Sequence, residues 1–126
     1  MAKLTEFFKA DQQYDLGTVV VFGGDAEITS SSDWEQSSVA GVVLGGNQSK
    51  TEVVILGVTD CQVVGVVNPG DLLVTTDRPG VAAVIPSIPD FDGGTASNTV
   101  GTIVGKAIES FNDVDPGTIK VLVSLE

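Results

Sequence analysis

A chain of 126 residues can bury one proper core and leaves little room for a second domain. Six basic residues face seventeen acidic ones, a formal charge of −11, and Lys3, Lys9, Lys50, Arg78, Lys106 and Lys120 stand singly. No cationic stripe exists to neutralise phosphates or anionic lipid, so neither direct nucleic-acid binding nor membrane adhesion is expected.

The composition favours strands. Hydrophobic residues make up 42% and are mostly Val, Ile and Leu, there are 15 glycines, and charged residues reach only 18%. β-Branched residues suit a pleated, half-buried surface, and glycine punctuates it with turns. The acidic excess is a solvated, self-repelling exterior that keeps a Val-rich module soluble.

The opening stretch, MAKLTEFFKADQQ, lacks the apolar run of a signal peptide, so synthesis in a reducing cytoplasm is expected. Leu4, Phe7 and Phe8 fall at i, i+3 and i+4, the spacing of one helical face, but too few residues are present for a stable isolated helix. Residues 1–13 therefore read as an N-terminal arm that finds burial elsewhere, ahead of a single β-domain over residues 14–126. Packing on its own domain and contact with a neighbouring subunit are both open to it.

From Gly17 onward strand-like runs alternate with turn signals. Gly17 to Phe22 and Ala26 to Thr29 flank Gly23-Gly24-Asp25 and predict a hairpin. Ser30 to Gln36 is a polar loop holding Trp34, which can cap the barrel end or serve as an interface anchor. Ser38 to Leu44 is the next strand, followed by a turn over Gly45 to Ser49. Glu52 to Val58 and Cys61 to Val67 read as two strands separated by Thr59-Asp60, apolar on both faces and so buried from two sides.

Asn68-Pro69-Gly70-Asp71 is a β-turn, with proline presetting φ and glycine supplying a positive one. Asp71 to Thr75 and Val81 to Ile85 flank a further turn at Asp77 to Gly80. Pro86 to Asn98 is a long loop. Val100 to Glu109 and Gly117 to Leu125 close the chain, joined through residues 112–116. Along the last strand Ile119, Val121, Val123 and Leu125 share one face, which predicts a half-buried strand. Eight or nine short strands at this spacing predict an all-β fold, a small barrel or sandwich with an N-terminal arm.

Little in the sequence carries chemistry. Without histidine no Ser/His/Asp or Cys/His arrangement can be built, and a single cysteine allows no internal disulfide. A Ser–Lys pair using Lys106 is conceivable, yet a lysine alternating out of a strand is usually solvated or protects an edge. Cys61, amid strand residues, reads as a small buried hydrophobe. Asp90-x-Asp92-Gly93-Gly94 and Asp113-x-Asp115 could offer oxygens to calcium, but neither matches the spacing of a calcium loop, and turn-forming aspartates account for them. No catalytic residue, metal site or cofactor is expected.

The order of the Gly-Val phrases has a likeness. Residues Tyr14 to Gly24 (YDLGTVVVFGG), Val39 to Val43, Val63 to Thr76 with Pro79-Gly80-Val81-Ala82, Gly101 to Ala107 and Gly117 to Val123 together resemble a β-module of tailed-phage structural proteins, notably fibre-like and tail-associated proteins of cyanophages. The same order is similar to small capsid decoration, or cement, proteins. Fibre-type members are usually one module of a long chain, whereas this sequence reads as a free-standing module, which favours decoration.

The resemblance implies a capsid decoration protein on the virion's capsid surface. Its partners would be the major capsid protein and copies of itself, as a trimer or another symmetric homo-oligomer. Leu4, Phe7, Phe8 and Trp34 are the candidate subunit or capsid contacts. A tail or tail-fibre-associated module is the alternative. A carbohydrate-binding module is a further one, poorly supplied here because aromatics are only 6% and mostly Phe.

Overall fold

The computed structural model describes residues 3–85 and 102–124. Among these lie nine strands and no helix: β1 (Leu4–Phe8), β2 (Val19–Phe22), β3 (Ile28–Ser30), β4 (Val39–Asn47), β5 (Lys50–Val67), β6 (Leu72–Thr75), β7 (Ala82–Val84), β8 (Ile103–Ala107) and β9 (Phe111–Ser124). The fold is all-β, as the strand and turn pattern predicts.

β5 organises the molecule. Its 18 residues run without interruption through Thr59-Asp60, where the sequence reading places a break. Thr59 pairs with Val121 and is buried, while Asp60 pairs with Lys120 and reaches solvent, 3.9 Å from its ammonium. A β-branched residue facing inward and a charge facing outward are ordinary strand chemistry once a partner strand is present.

The two halves of β5 do different things. Residues 50–54 pair with β4 and with β1; residues 56–67 pair with β9, and Val63 meets Ala82 of β7 in parallel. From β5 the ladder passes through β7, β6, β8 and β9 and returns to β5, closing a five-stranded barrel. β4, β2 and β3 continue outward from the first half of β5. Closure removes the unpaired edges of those five strands.

Two apolar clusters follow from this layout. The larger fills the barrel with Cys61, Val63, Leu73, Val104, Ile119, Val121 and Val123, and takes in Val19, Val21 and Val42 from β2 and β4. The smaller lies on the opposite face of β2 and β4, where Val20, Ile28, Ala40, Val43 and Val53 meet Ala10, with Phe8 and Tyr14 packed against them. Val53 and Val54 are both fully buried, so the expected two-sided burial holds for the first half of β5. Its second face is covered by the chain's own N-terminal segment. The other half alternates, with Gly57, Thr59, Cys61 and Val63 buried and Leu56 and Val66 outward.

Gly41 makes the junction possible. It sits at φ +146°, and an added Cβ would overlap the Val54 carbonyl oxygen and lie 2.6 Å from Val53 Cγ1. Only glycine allows β4 to approach β5 this closely.

The N-terminal segment is extended rather than helical. β1 pairs antiparallel with β5, from Leu4 opposite Leu56 to Phe8 opposite Thr51, and Ala10 bridges to Ile28. A short segment gains a full set of backbone partners on a strand, which one helical turn cannot supply.

Most turns lie where expected. Gly23 donates to the Glu27 carbonyl across the β2–β3 hairpin, Asp71 to the Asn68 carbonyl at 3.1 Å, and Val81 to the Arg78 carbonyl at 3.2 Å. Two differ. Gly45, Gly46 and Asn47 belong to β4, and the β4–β5 turn is Gln48-Ser49 alone, held by Asn47 Oδ1 accepting from the Ser49 and Lys50 amides. Residues 112–116 are part of β9, and the β8–β9 turn falls on residues 108–110. Pro116 fits inside β9 because the ladder bulges there, with Asp113 opposite Gly65 and Gly117 opposite Val63. The Pro86–Asn98 loop, including Asp90 and Asp92, lies outside the described residues, as does Leu125.

Candidate functional site

The four residues singled out as contacts occupy three environments. Leu4 and Phe7 are 55% and 52% exposed on β1. Leu4 stands opposite Leu56, itself 51% exposed, so the pair forms an outward apolar step between neighbouring strands. Phe7 lies opposite Glu52, and the Lys50 ammonium sits 5.1 Å from its ring centroid. That contact covers part of the ring face while leaving its edge open.

Phe8 is turned the other way. Strand alternation carries it onto the smaller core, where its ring meets Phe22 edge-on at 5.4 Å and 85°. Phe8 thus contributes to the chain's own stability.

Trp34 lies in the loop between β3 and β4 and is 47% exposed. That loop is fastened to the end of β6. The buried Thr75 hydroxyl donates to the Asp33 carbonyl at 2.7 Å and accepts from the Gln36 amide at 2.8 Å, and Glu35 N–H donates to the Thr75 carbonyl at 3.1 Å. Glu35 adopts φ +50°, a left-handed conformation maintained by these bonds. The indole is therefore presented from a fixed loop.

A polar knot anchors the arm. Tyr14 Oη donates to Asp11 Oδ1 at 2.5 Å and accepts from Ser30 N–H at 3.0 Å, while the Thr29 hydroxyl donates to Asp11 Oδ2 at 2.7 Å. Partial burial of Asp11 raises its pKa, but the bonds from Tyr14, Thr29 and nearby backbone amides outweigh this and hold the carboxyl below its usual value. The knot ties the end of the arm to β3.

Cys61 is fully buried in the barrel, and burial pushes its thiol up to about 12, far from the range of a nucleophilic thiolate. Asp113 Oδ1 accepts from the Asp115 amide, a local turn contact. Among the described residues no group of three Asp, Glu or Cys side chains could hold a metal ion. Lys106 is exposed on β8 and lines a pocket on the outer barrel wall with Leu72, Ile103, Gly105, Leu122 and Ser124.

Phe22, Leu56, Val66, Leu72, Ile108 and Val114 are further exposed apolar side chains, outside the set of four that the sequence points to. Within apolar runs such as Leu56 to Val58, period-2 patterning separates two faces without saying which one the barrel encloses. Val114 carried a usable signal: an apolar residue between two aspartates in a Pro-bearing segment belongs on a protrusion.

No family model matches this sequence, and no curated protein does. Among solved structures, the head fibre gp8.5 N base of bacteriophage phi29 is similar in fold, with a TM-score of 0.58 and 17% identity over 98% of this chain and 95% of that one.

Proposed function

We propose that this chain is a non-enzymatic structural protein of a phage particle, attached to the head, and that it decorates the assembled shell. One observation carries the reading: the fold likeness to the base of a phage head fibre extends over nearly the whole of both chains. A match of that extent concerns the complete architecture, barrel and outer strands together. The ordered Gly-Val phrases of the sequence support the same class.

The physical character suits the role. The barrel is closed and the N-terminal arm is built into the sheet, so the unit is stiff. Its acidic exterior disfavours binding to the packaged genome or to anionic lipid. In this reading Leu4 and Phe7 with Leu56, and separately Trp34, meet the major capsid protein or a neighbouring copy. A symmetric assembly would multiply a modest contact per subunit.

Counting copies in purified virions by quantitative mass spectrometry tests the proposal. Many copies per particle, retained on emptied heads, is the expected result. A handful of copies that separate with isolated tails would move the protein to the tail, and its absence from particles would overturn the virion role altogether.

A further inference from the structure

The outer wall of the barrel holds a pocket. Leu72, Lys106 and Leu122 stand abreast on β6, β8 and β9, because Leu72 pairs with Lys106 and Lys106 with Leu122. With Ile103, Gly105 and Ser124 they line a partly open cavity of about 350 Å³. Gly105 brings no side chain to the wall, and a Cβ there would overlap the Leu122 carbonyl oxygen. Among the described residues the lining is apolar apart from the Lys106 ammonium and the Ser124 hydroxyl. Among the described residues Lys106 has no ion pair.

The same chain carries a matching protrusion. β9 leaves the ladder between Asp113 and Gly117, extruding Val114, Asp115 and Pro116. Val114 is 77% exposed, the highest value among the large apolar side chains described. The Asp115 amide donates to Asp113 Oδ1 at 3.0 Å, which stiffens the tip, and among the described residues the Asp115 carboxylate has no ion pair. An isopropyl group beside a carboxylate complements an apolar pocket with an ammonium at its edge.

We propose that the Val114 tip of one copy inserts into the Leu72/Lys106/Leu122 pocket of a second copy, with Asp115 pairing to Lys106. Tip and pocket are different surfaces, so the contact is heterologous. It runs head to tail and closes into a ring when the rotation per subunit allows. A second copy is the favoured occupant because both complementary halves lie on one chain. At a net charge of −11, copies otherwise repel, and Lys106 supplies a local attraction in register with the apolar fit. The inference deepens the multi-copy role proposed above and rests on that reading for its setting, while the contact itself can be measured on purified protein.

Sedimentation velocity of the full chain, taken up to about 1 mM, is the test. The wild type should associate with rising concentration. Val114→Asp, Lys106→Glu and Asp115→Lys should each weaken association roughly tenfold or more. All three positions are solvent-facing, so circular-dichroism melts should stay at the wild-type value. Mixing the Lys106→Glu chain with the Asp115→Lys chain makes every tip–pocket junction between them complementary and should recover association that neither shows alone. A wild type that remains monomeric, association indifferent to these variants, or a mixture that fails to recover would each overturn the contact. A monomeric protein still present at high copy in virions would sink the contact and spare the role; an associating protein absent from virions would do the reverse.

Discussion

Replacing Tyr14 with Phe removes one oxygen and keeps the ring, so it isolates the polar knot that anchors the arm. Two bonds are lost that matter energetically. The 2.5 Å bond to Asp11 is charge-assisted, a class worth about 1.5–3 kcal/mol, and partial exposure puts it at the low end. The Ser30 amide, bonded at 3.0 Å, loses its acceptor in a part-buried place that water can reach incompletely, which adds roughly 0.5–1 kcal/mol. The sum is about 2 kcal/mol, or roughly 6–8 °C in Tm for a domain of this size. Urea denaturation with a double-mutant cycle against Asp11→Asn should give a coupling of about 1 kcal/mol.

The pH dependence supplies an independent check on the same knot. The folded-state pKa of Asp11 lies below the unfolded value of 3.8, so its stabilisation is complete above that value and fades as pH falls through the folded pKa. The gap between wild type and Tyr14→Phe should therefore narrow in acid below the ordinary carboxylate range. A Tyr14→Phe protein within 0.5 kcal/mol of wild type at neutral pH, or a gap that widens in acid, would refute the reasoning.

Three further outcomes are expected. Gly41→Ala should cost about 3 kcal/mol or more, or abolish soluble expression, because β4 must move off the Val54 carbonyl; Gly65→Ala, at φ +87° with nothing near its Cβ, should cost only about 1–2 kcal/mol. Chemical denaturation of the two variants side by side checks the contrast. Cys61 should resist a thiol reagent such as dithionitrobenzoate in the native state and react only as fast as the barrel opens, a rate that tracks added denaturant. Thr75→Val should release the Trp34 loop by leaving the Gln36 amide and the Asp33 carbonyl unpaired, destabilising the fold by about 1–3 kcal/mol and making Trp34 fluorescence easier to quench with iodide.

What could be read in the sequence was local. The turn at Asn68 to Asp71 is specified by four residues acting on their own backbone, and the alternation of Ile119, Val121 and Val123 specifies a strand with one face inward. The continuity of β5 and β9 was not legible, because it depends on pairing between the two. Thr59-Asp60 and the segment from Asn112 to Pro116 have turn composition; each is held in a strand by the residues opposite, Val121 and Lys120 in one case, Gly65 and Val63 flanking a bulge in the other. Composition cannot distinguish a turn from a strand or a bulge when the deciding interaction lies about fifty to sixty residues away in sequence.

The contact residues show the same limit more sharply. Leu4, Phe7 and Phe8 form one group when taken at helical spacing, and the strand divides them: Phe8 closes the smaller core while Leu4 and Phe7 face solvent. This changes how the arm must be tested. Deleting residues 1–10 removes Phe8 and Ala10 from the smaller core and strips β5 of a partner strand, so lost particle binding could reflect a damaged fold. Leu4→Ser with Phe7→Ser removes two half-exposed apolar side chains and the Lys50 contact on the Phe7 ring but leaves the β1 backbone ladder and Phe8 in place, with an expected stability loss of about 1–2 kcal/mol that keeps the protein folded. If heads depleted of the protein bind this double variant as tightly as wild type, β1 serves the chain's own fold, and the proposed shell contact would fall to Trp34 or the barrel wall.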